Sequence, residues 1–76
     1  SGELVRISPE LVLTGGFVRR AEALVREAGE QGVTVSAVRE GLGTTRKYAV
    51  PLMEYLDRTG VTRREGDLRF ARRSLD

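Results

Sequence analysis

Along this 76-residue chain the apolar residues are spaced in two ways, and the change-overs between them mark its elements. Leu4, Val5 and Ile7, then Leu11, Val12 and Leu13, form two short runs around Ser8-Pro9-Glu10. Pro9 presets φ for the second position of a turn and Ser8 suits the first, so the opening predicts a hairpin. Gly15-Gly16 then breaks the pattern. From Phe17 the period changes: Phe17, Ala21, Leu24, Val25 and Ala28 stand at i, i+4, i+7, i+8 and i+11, the stripe of an amphipathic helix that Gly29 to Gly32 ends. On its outer face Glu22, Arg26 and Glu30 follow one another at four-residue spacing, which predicts a ladder of ion pairs. Arg19 and Arg20 read as part of the same solvated face.

Val33-Thr34-Val35 is short and β-branched and reads as one extended step. Ser36 then suits the cap of a brief second helix through about Leu42, with Ala37, Val38 and Leu42 facing inward. Gly41 and Gly43 bracket its end. A lone Gly-Leu-Gly with no following Gly-Lys-Ser/Thr marks a turn rather than a phosphate loop. Thr44 or Thr45 caps a third helix from about Arg46 to Thr59, stopped by Gly60, whose inward stripe is Ala49, Leu52, Met53 and Leu56. Pro51 removes the bond to the Lys47 carbonyl and predicts a bend. Glu54 and Arg58 stand four apart and predict another surface ion pair. Finally Val61-Thr62-Arg63-Arg64 and Leu68-Arg69-Phe70-Ala71 flank Glu65-Gly66-Asp67, the strongest hairpin pattern in the chain. Phe17 and Phe70 are assigned to the core. Helix, short strand, helix, tight turn, helix, hairpin is the order of a winged helix-turn-helix, an α+β fold that is mainly α. The opening hairpin, residues 1–16, stands apart from the winged helix proper, residues 17–76.

Composition narrows the chemistry. With no Cys and no His, the chain lacks the residues for a zinc site, a disulfide framework, a histidine-activated nucleophile or a histidine pH switch. An enzyme acting alone is not the expectation; a monomeric binding domain is. No run of about 18 apolar residues offers a membrane span, and no secretory pattern opens the chain, so it reads as cytosolic. Twelve Arg, one Lys and eleven acids give a net charge of only +2. The charge is unevenly placed: residues 1–43 sum to −1 and residues 44–76 to +3.

Within the basic half, Arg46 and Lys47 occupy the first turn of a helix, where the backbone dipole already places roughly half a positive charge. That position makes sense if an anion binds there, since backbone N–H groups, a Thr hydroxyl and two cations converge on one phosphate-sized place. Arg63, Arg64, Arg69, Arg72 and Arg73 on the second hairpin extend the surface in a winged helix, while Glu65 and Asp67 at its tip reduce the field. Tyr48 and Tyr55 flank the third helix: a base stacks on such a ring, or the ring closes the core edge, the latter favoured for Tyr55. On the residues alone three readings stay open: a module for an RNA hairpin, a DNA-binding winged helix of a transcription regulator, and a protein-interaction winged helix.

The string from Leu42 to Arg64, Leu-Gly-Thr-Thr-Arg-Lys-Tyr-Ala-Val-Pro-Leu-Met-Glu-Tyr-Leu-Asp-Arg-Thr-Gly-Val-Thr-Arg-Arg, followed by Gly66-Asp67, closely resembles the last winged-helix domain of the bacterial selenocysteine-specific elongation factors, the SelB family. The opening hairpin resembles the wing of the domain that precedes it in that family's tandem array. The resemblance implies that the chain grips the SECIS hairpin, an mRNA stem-loop near a recoded UGA codon. It further implies that the parent factor carries GTP, with Mg, and selenocysteinyl-tRNA to the ribosome, through domains other than this one; no cofactor is expected in this chain. The contacts it implies are Gly43, Thr44, Thr45, Arg46, Lys47, Tyr48, Arg63, Arg64 and Arg69. A-form geometry agrees: the RNA major groove is too narrow for a helix laid broadside, so a helix tip must hold the backbone and read a loop or bulged base. Val50, Pro51 and Glu54 also offer few polar groups for reading a groove.

Overall fold

The computed structural model describes residues 2–72. Its elements are β1 (Leu4–Ser8), β2 (Leu11–Thr14), α1 (Gly15–Ala28), a 3-10 turn at Gly29–Gln31, β3 (Val33–Thr34), α2 (Val35–Leu42), α3 (Arg46–Arg58), β4 (Thr62–Glu65) and β5 (Leu68–Ala71). β1 and β2 pair as an isolated antiparallel hairpin, and β3, β5 and β4 form a second antiparallel sheet in that order. Helix, helix, helix and a two-stranded wing anchored through β3 make the winged helix that the element order predicts.

The first hairpin is fastened to the helices by one irregularity. Arg6 pairs with Val12 and Ser8 with Leu11, so the register shifts across Ile7. Such a bulge bends the strand and re-aims a side chain, and Ile7 is only 2% exposed, in one cluster with Val18, Ala21, Val25, Val38, Leu42, Leu52, Met53 and Leu56. Arg58 adds a polar tie: its guanidinium donates to the Ile7 carbonyl at 3.0 Å. It is drawn to the hairpin and across the Tyr55 ring, 5.7 Å from the centroid, rather than to Glu54.

The α3 stripe lies where periodicity puts it, with Ala49, Leu52, Met53 and Leu56 all fully buried. Helical structure runs unbroken through Pro51. Elsewhere the structure corrects the pattern. α1 starts at Gly15 and not after the glycine pair, because the Thr14 hydroxyl accepts from the Phe17 N–H at 3.2 Å and supplies the cap. A Cβ at Gly15 would approach the Glu3 carboxylate to 2.9 Å, a contact that the exposed end of the Glu3 side chain can relieve by moving. Val18 joins Ala21 and Val25 as the buried line, and Phe17 is only partly buried at its edge. Among the described residues the Glu22, Arg26, Glu30 ladder makes no ion pair; Arg19 instead reaches Glu3 at 3.3 Å, and Arg20 donates to the Gly41 carbonyl at 3.3 Å. α2 is capped by Thr34, whose hydroxyl accepts from the Ala37 N–H at 3.1 Å, so Ser36 lies inside the first turn and Ala37 is exposed.

Candidate nucleic-acid interface

The turn between α2 and α3 is three residues long and fully determined by backbone bonds. Gly43 adopts φ 68°. Its N–H donates to the Glu40 carbonyl and that of Thr44 donates to the Arg39 carbonyl, both at 3.1 Å. This paired closure requires a left-handed residue, the conformation glycine adopts without strain. Open space surrounds Gly43, with nothing within 4 Å of a Cβ built there. Thr45 follows extended, and α3 begins at Arg46.

Thr45 occupies the cap position of α3, yet its side chain accepts no bond from the helix. Thr45 is thus the cap residue the sequence predicts, but without the side-chain bond that Thr14 and Thr34 make. The backbone N–H groups of Arg46 and Lys47 have no acceptor among the described residues; the first N–H groups to bond are those of Tyr48 and Ala49, both to the Thr45 carbonyl. The Arg46 and Lys47 side chains are exposed and make no ion pair or hydrogen bond among the described residues. α3 has no acidic residue in its first turn either. Free amides, two free cations and a free hydroxyl thus meet at the positive end of a helix dipole, an arrangement that favours an oxyanion such as a phosphate.

Tyr48 stands beside this end, 38% exposed, with the Lys47 ammonium 5.9 Å from its ring centroid. The first hairpin flanks it on both sides. A shallow cavity of about 340 Å³ is lined by Val12, Leu13, Thr14, Phe17, Thr44 and Tyr48, and a neighbouring one of about 480 Å³ by Ser8, Glu10, Leu11, Lys47, Tyr48 and Pro51. Tyr55 lies away from this end, partly buried against the core. The hairpin's part in this surface and the placing of Arg20 beside the α2–α3 turn are absent from the local sequence pattern. Both depend on packing between residues more than twenty positions apart.

The wing divides the remaining candidates. Arg63 pairs across the strands with Phe70, and Arg64 with Arg69. Strand side chains alternate between faces, so the Arg63-Arg64 doublet is split. The Arg64 side faces α3, and Arg64 there donates to the Gly66 carbonyl at 3.0 Å. Arg63 lies on the far side, its guanidinium 4.6 Å from the Phe70 ring centroid and ion-paired with Glu65. Phe70 is accordingly not a core residue: it is partly exposed and packs over Gly32, where a Cβ would come within 2.7 Å of its ring.

Arg69 corrects the sequence reading most sharply. It is 5% exposed, and Asp57 on the last turn of α3 receives its guanidinium through Nε at 3.0 Å and Nη2 at 2.9 Å. The Thr62 hydroxyl donates to the same carboxylate at 2.6 Å. A two-pronged, largely buried pair of this kind holds structure. Arg69 therefore fixes the wing to α3 and does not stand on the open surface with Arg46 and Lys47. Arg72 is exposed, and Arg73 lies outside the described residues.

A helix-turn-helix whose third helix leads into a two-stranded wing, with free cations gathered at that helix's N-terminus, defines a winged-helix domain of nucleic-acid-binding character. The particular family follows from comparison. The winged-helix model of elongation factor SelB matches residues 24–71, and the chain belongs to that family. By structure it is similar to the mRNA-binding domain of elongation factor SelB from E. coli in complex with SECIS RNA, with TM-score 0.78 and 25% identity over 92% of this chain. It is equally similar, at TM-score 0.78 and 36% identity over 92% of this chain, to a bacterial selenocysteine-specific elongation factor EF-Sec. The chain spans 60% of the former and 12% of the latter. No curated protein matches it significantly by sequence. Among the described residues no helix is long and apolar enough to cross a membrane.

Proposed function

We propose that this domain binds an mRNA stem-loop of the SECIS type and thereby holds a selenocysteine-specific elongation factor near a recoded UGA codon. The observation that carries this reading is the open N-terminus of α3, where Arg46 and Lys47 and the amides above them have no partner among the described residues. Gly43, Thr44 and Thr45 shape the approach, Arg46 and Lys47 hold backbone phosphates, Tyr48 offers a ring to an unstacked base, and Arg64 extends the contact along the α3 side of the wing. A-form RNA suits this surface better than duplex DNA, because a helix tip and a wing edge meet a backbone without entering a deep groove. The chain acts as a monomeric binding module in the cytoplasm. Hydrolysis of GTP with Mg, delivery of selenocysteinyl-tRNA and contact with the ribosome fall to other parts of the factor.

Binding of the chain to a SECIS stem-loop and to duplex DNA of equal length, at two salt concentrations, tests the reading. The stem-loop should bind more tightly. Replacing Arg46 or Lys47 singly with Ala should lower the magnitude of the log-affinity against log-salt slope by about 0.7 to 0.9. Preference for DNA, or a slope that neither substitution changes, rejects it.

A further inference from the structure

The far face of the wing carries a second set of cations, apart from the surface assigned to the stem-loop. A groove of about 630 Å³ runs between the C-terminal end of α1 and the wing, lined by Arg26, Gly29, Glu30, Arg63, Phe70, Ala71 and Arg72. Three guanidiniums meet one carboxylate in that lining. Among the described residues Arg26 and Arg72 have no side-chain partner, and Arg63 is held by Glu65 from the wing tip and laid over the Phe70 ring. Arg26 also sits in the last turn of α1, where the helix dipole favours a cation; that accounts for its charge but not for Arg72 beside it.

The geometry points to a site for single-stranded RNA in this groove, separate from the stem-loop surface. Two features select that occupant. Free guanidiniums on either wall suit phosphates, and a guanidinium held over an aromatic ring, as Arg63 is over Phe70, adds a surface against which a base can stack. An acidic peptide would use the charges but not the platform. The wing's pleat keeps the two surfaces apart, since Arg64 faces α3 and Arg63 faces the groove.

The test uses octauridylate, an unstructured RNA, added to the chain already saturated with the SECIS stem-loop. Octauridylate should bind without displacing the stem-loop. The double substitution Arg26→Ala and Arg72→Ala should weaken it by about tenfold or more and lower its salt slope by about 1.4, while stem-loop affinity stays within about twofold. Arg63→Gln, which keeps a planar group over Phe70 without the charge, should weaken octauridylate less than the double substitution does. Octauridylate that fails to bind, is displaced by the stem-loop, or binds the double variant unchanged overturns the proposal. An octaglutamate peptide that binds as tightly as the RNA and is lost with the same substitutions also overturns it, in favour of protein docking. Stem-loop affinity is read separately, so failure here leaves the assignment of the α3 end to be judged on its own.

Discussion

All three helices are preceded by a threonine, and they use it differently. Thr14 and Thr34 each turn a hydroxyl back onto a backbone N–H of the first turn, closing α1 and α2. Thr45 does not, and α3 follows it with two cations instead of a capping acid. A free domain would be more stable with the third end closed as well. The difference separates two threonines that close a helix start from one that leaves it open, as the proposed phosphate contact requires, and it does so within a single small domain where the residue type is the same.

The comparison can be broken most forcefully by removing the cations. Arg46→Ala with Lys47→Ala should cost about 3 kcal/mol of stem-loop binding, at roughly 1.5 kcal/mol for each charge-assisted bond, and leave the thermal unfolding midpoint no lower. Unfolding that shifts down with binding unchanged would assign both residues to the fold. A closed α3 end should give the reverse trade: Thr45→Asp supplies a capping acceptor and a negative charge at a helix start. It should raise stability by about 0.5 to 1 kcal/mol in urea unfolding and weaken the stem-loop by about tenfold or more. If stability does not rise, the α3 N-terminus already lacks unsatisfied amides in the free domain. Thr14→Ala and Thr34→Ala should each cost about 1 kcal/mol of unfolding free energy, with stem-loop affinity unchanged under conditions where the variants are folded. Smallest of all, Thr45→Ala should shift stability by no more than a few tenths of a kcal/mol, since no cap bond is lost. A loss as large as that at Thr14 would erase the contrast.

How much of this the chain discloses by itself depends on how far apart the interacting residues are. The α3 stripe of Ala49, Leu52, Met53 and Leu56 is legible because helical period is local and the element is long. The candidate contacts Thr44 to Tyr48 are legible for the same reason, since a turn glycine, threonines and adjacent cations at a helix start are a local signature. Arg69 is not. Its inward position depends on Asp57, twelve residues earlier, supplying the countercharge that makes burying an arginine tolerable. Four-residue spacing pairs Arg58 with Glu54, but an acceptor 51 residues off, the Ile7 carbonyl, captures it. The division of Arg63 from Arg64 follows from strand alternation alone, yet which of the two faces α3 depends on Arg69 having turned inward.

Asp57 has a consequence for measurement as well as for stability. Because one carboxylate at the end of α3 holds both Thr62 at the root of the wing and Arg69 on its second strand, helix and wing behave as two arms of a single caliper with a stiff joint. A caliper of fixed opening accepts a backbone of one width and rejects the rest. Under the proposed stem-loop binding, discrimination between folded RNAs rests in part on the stiffness of a joint whose groups are spent on one another.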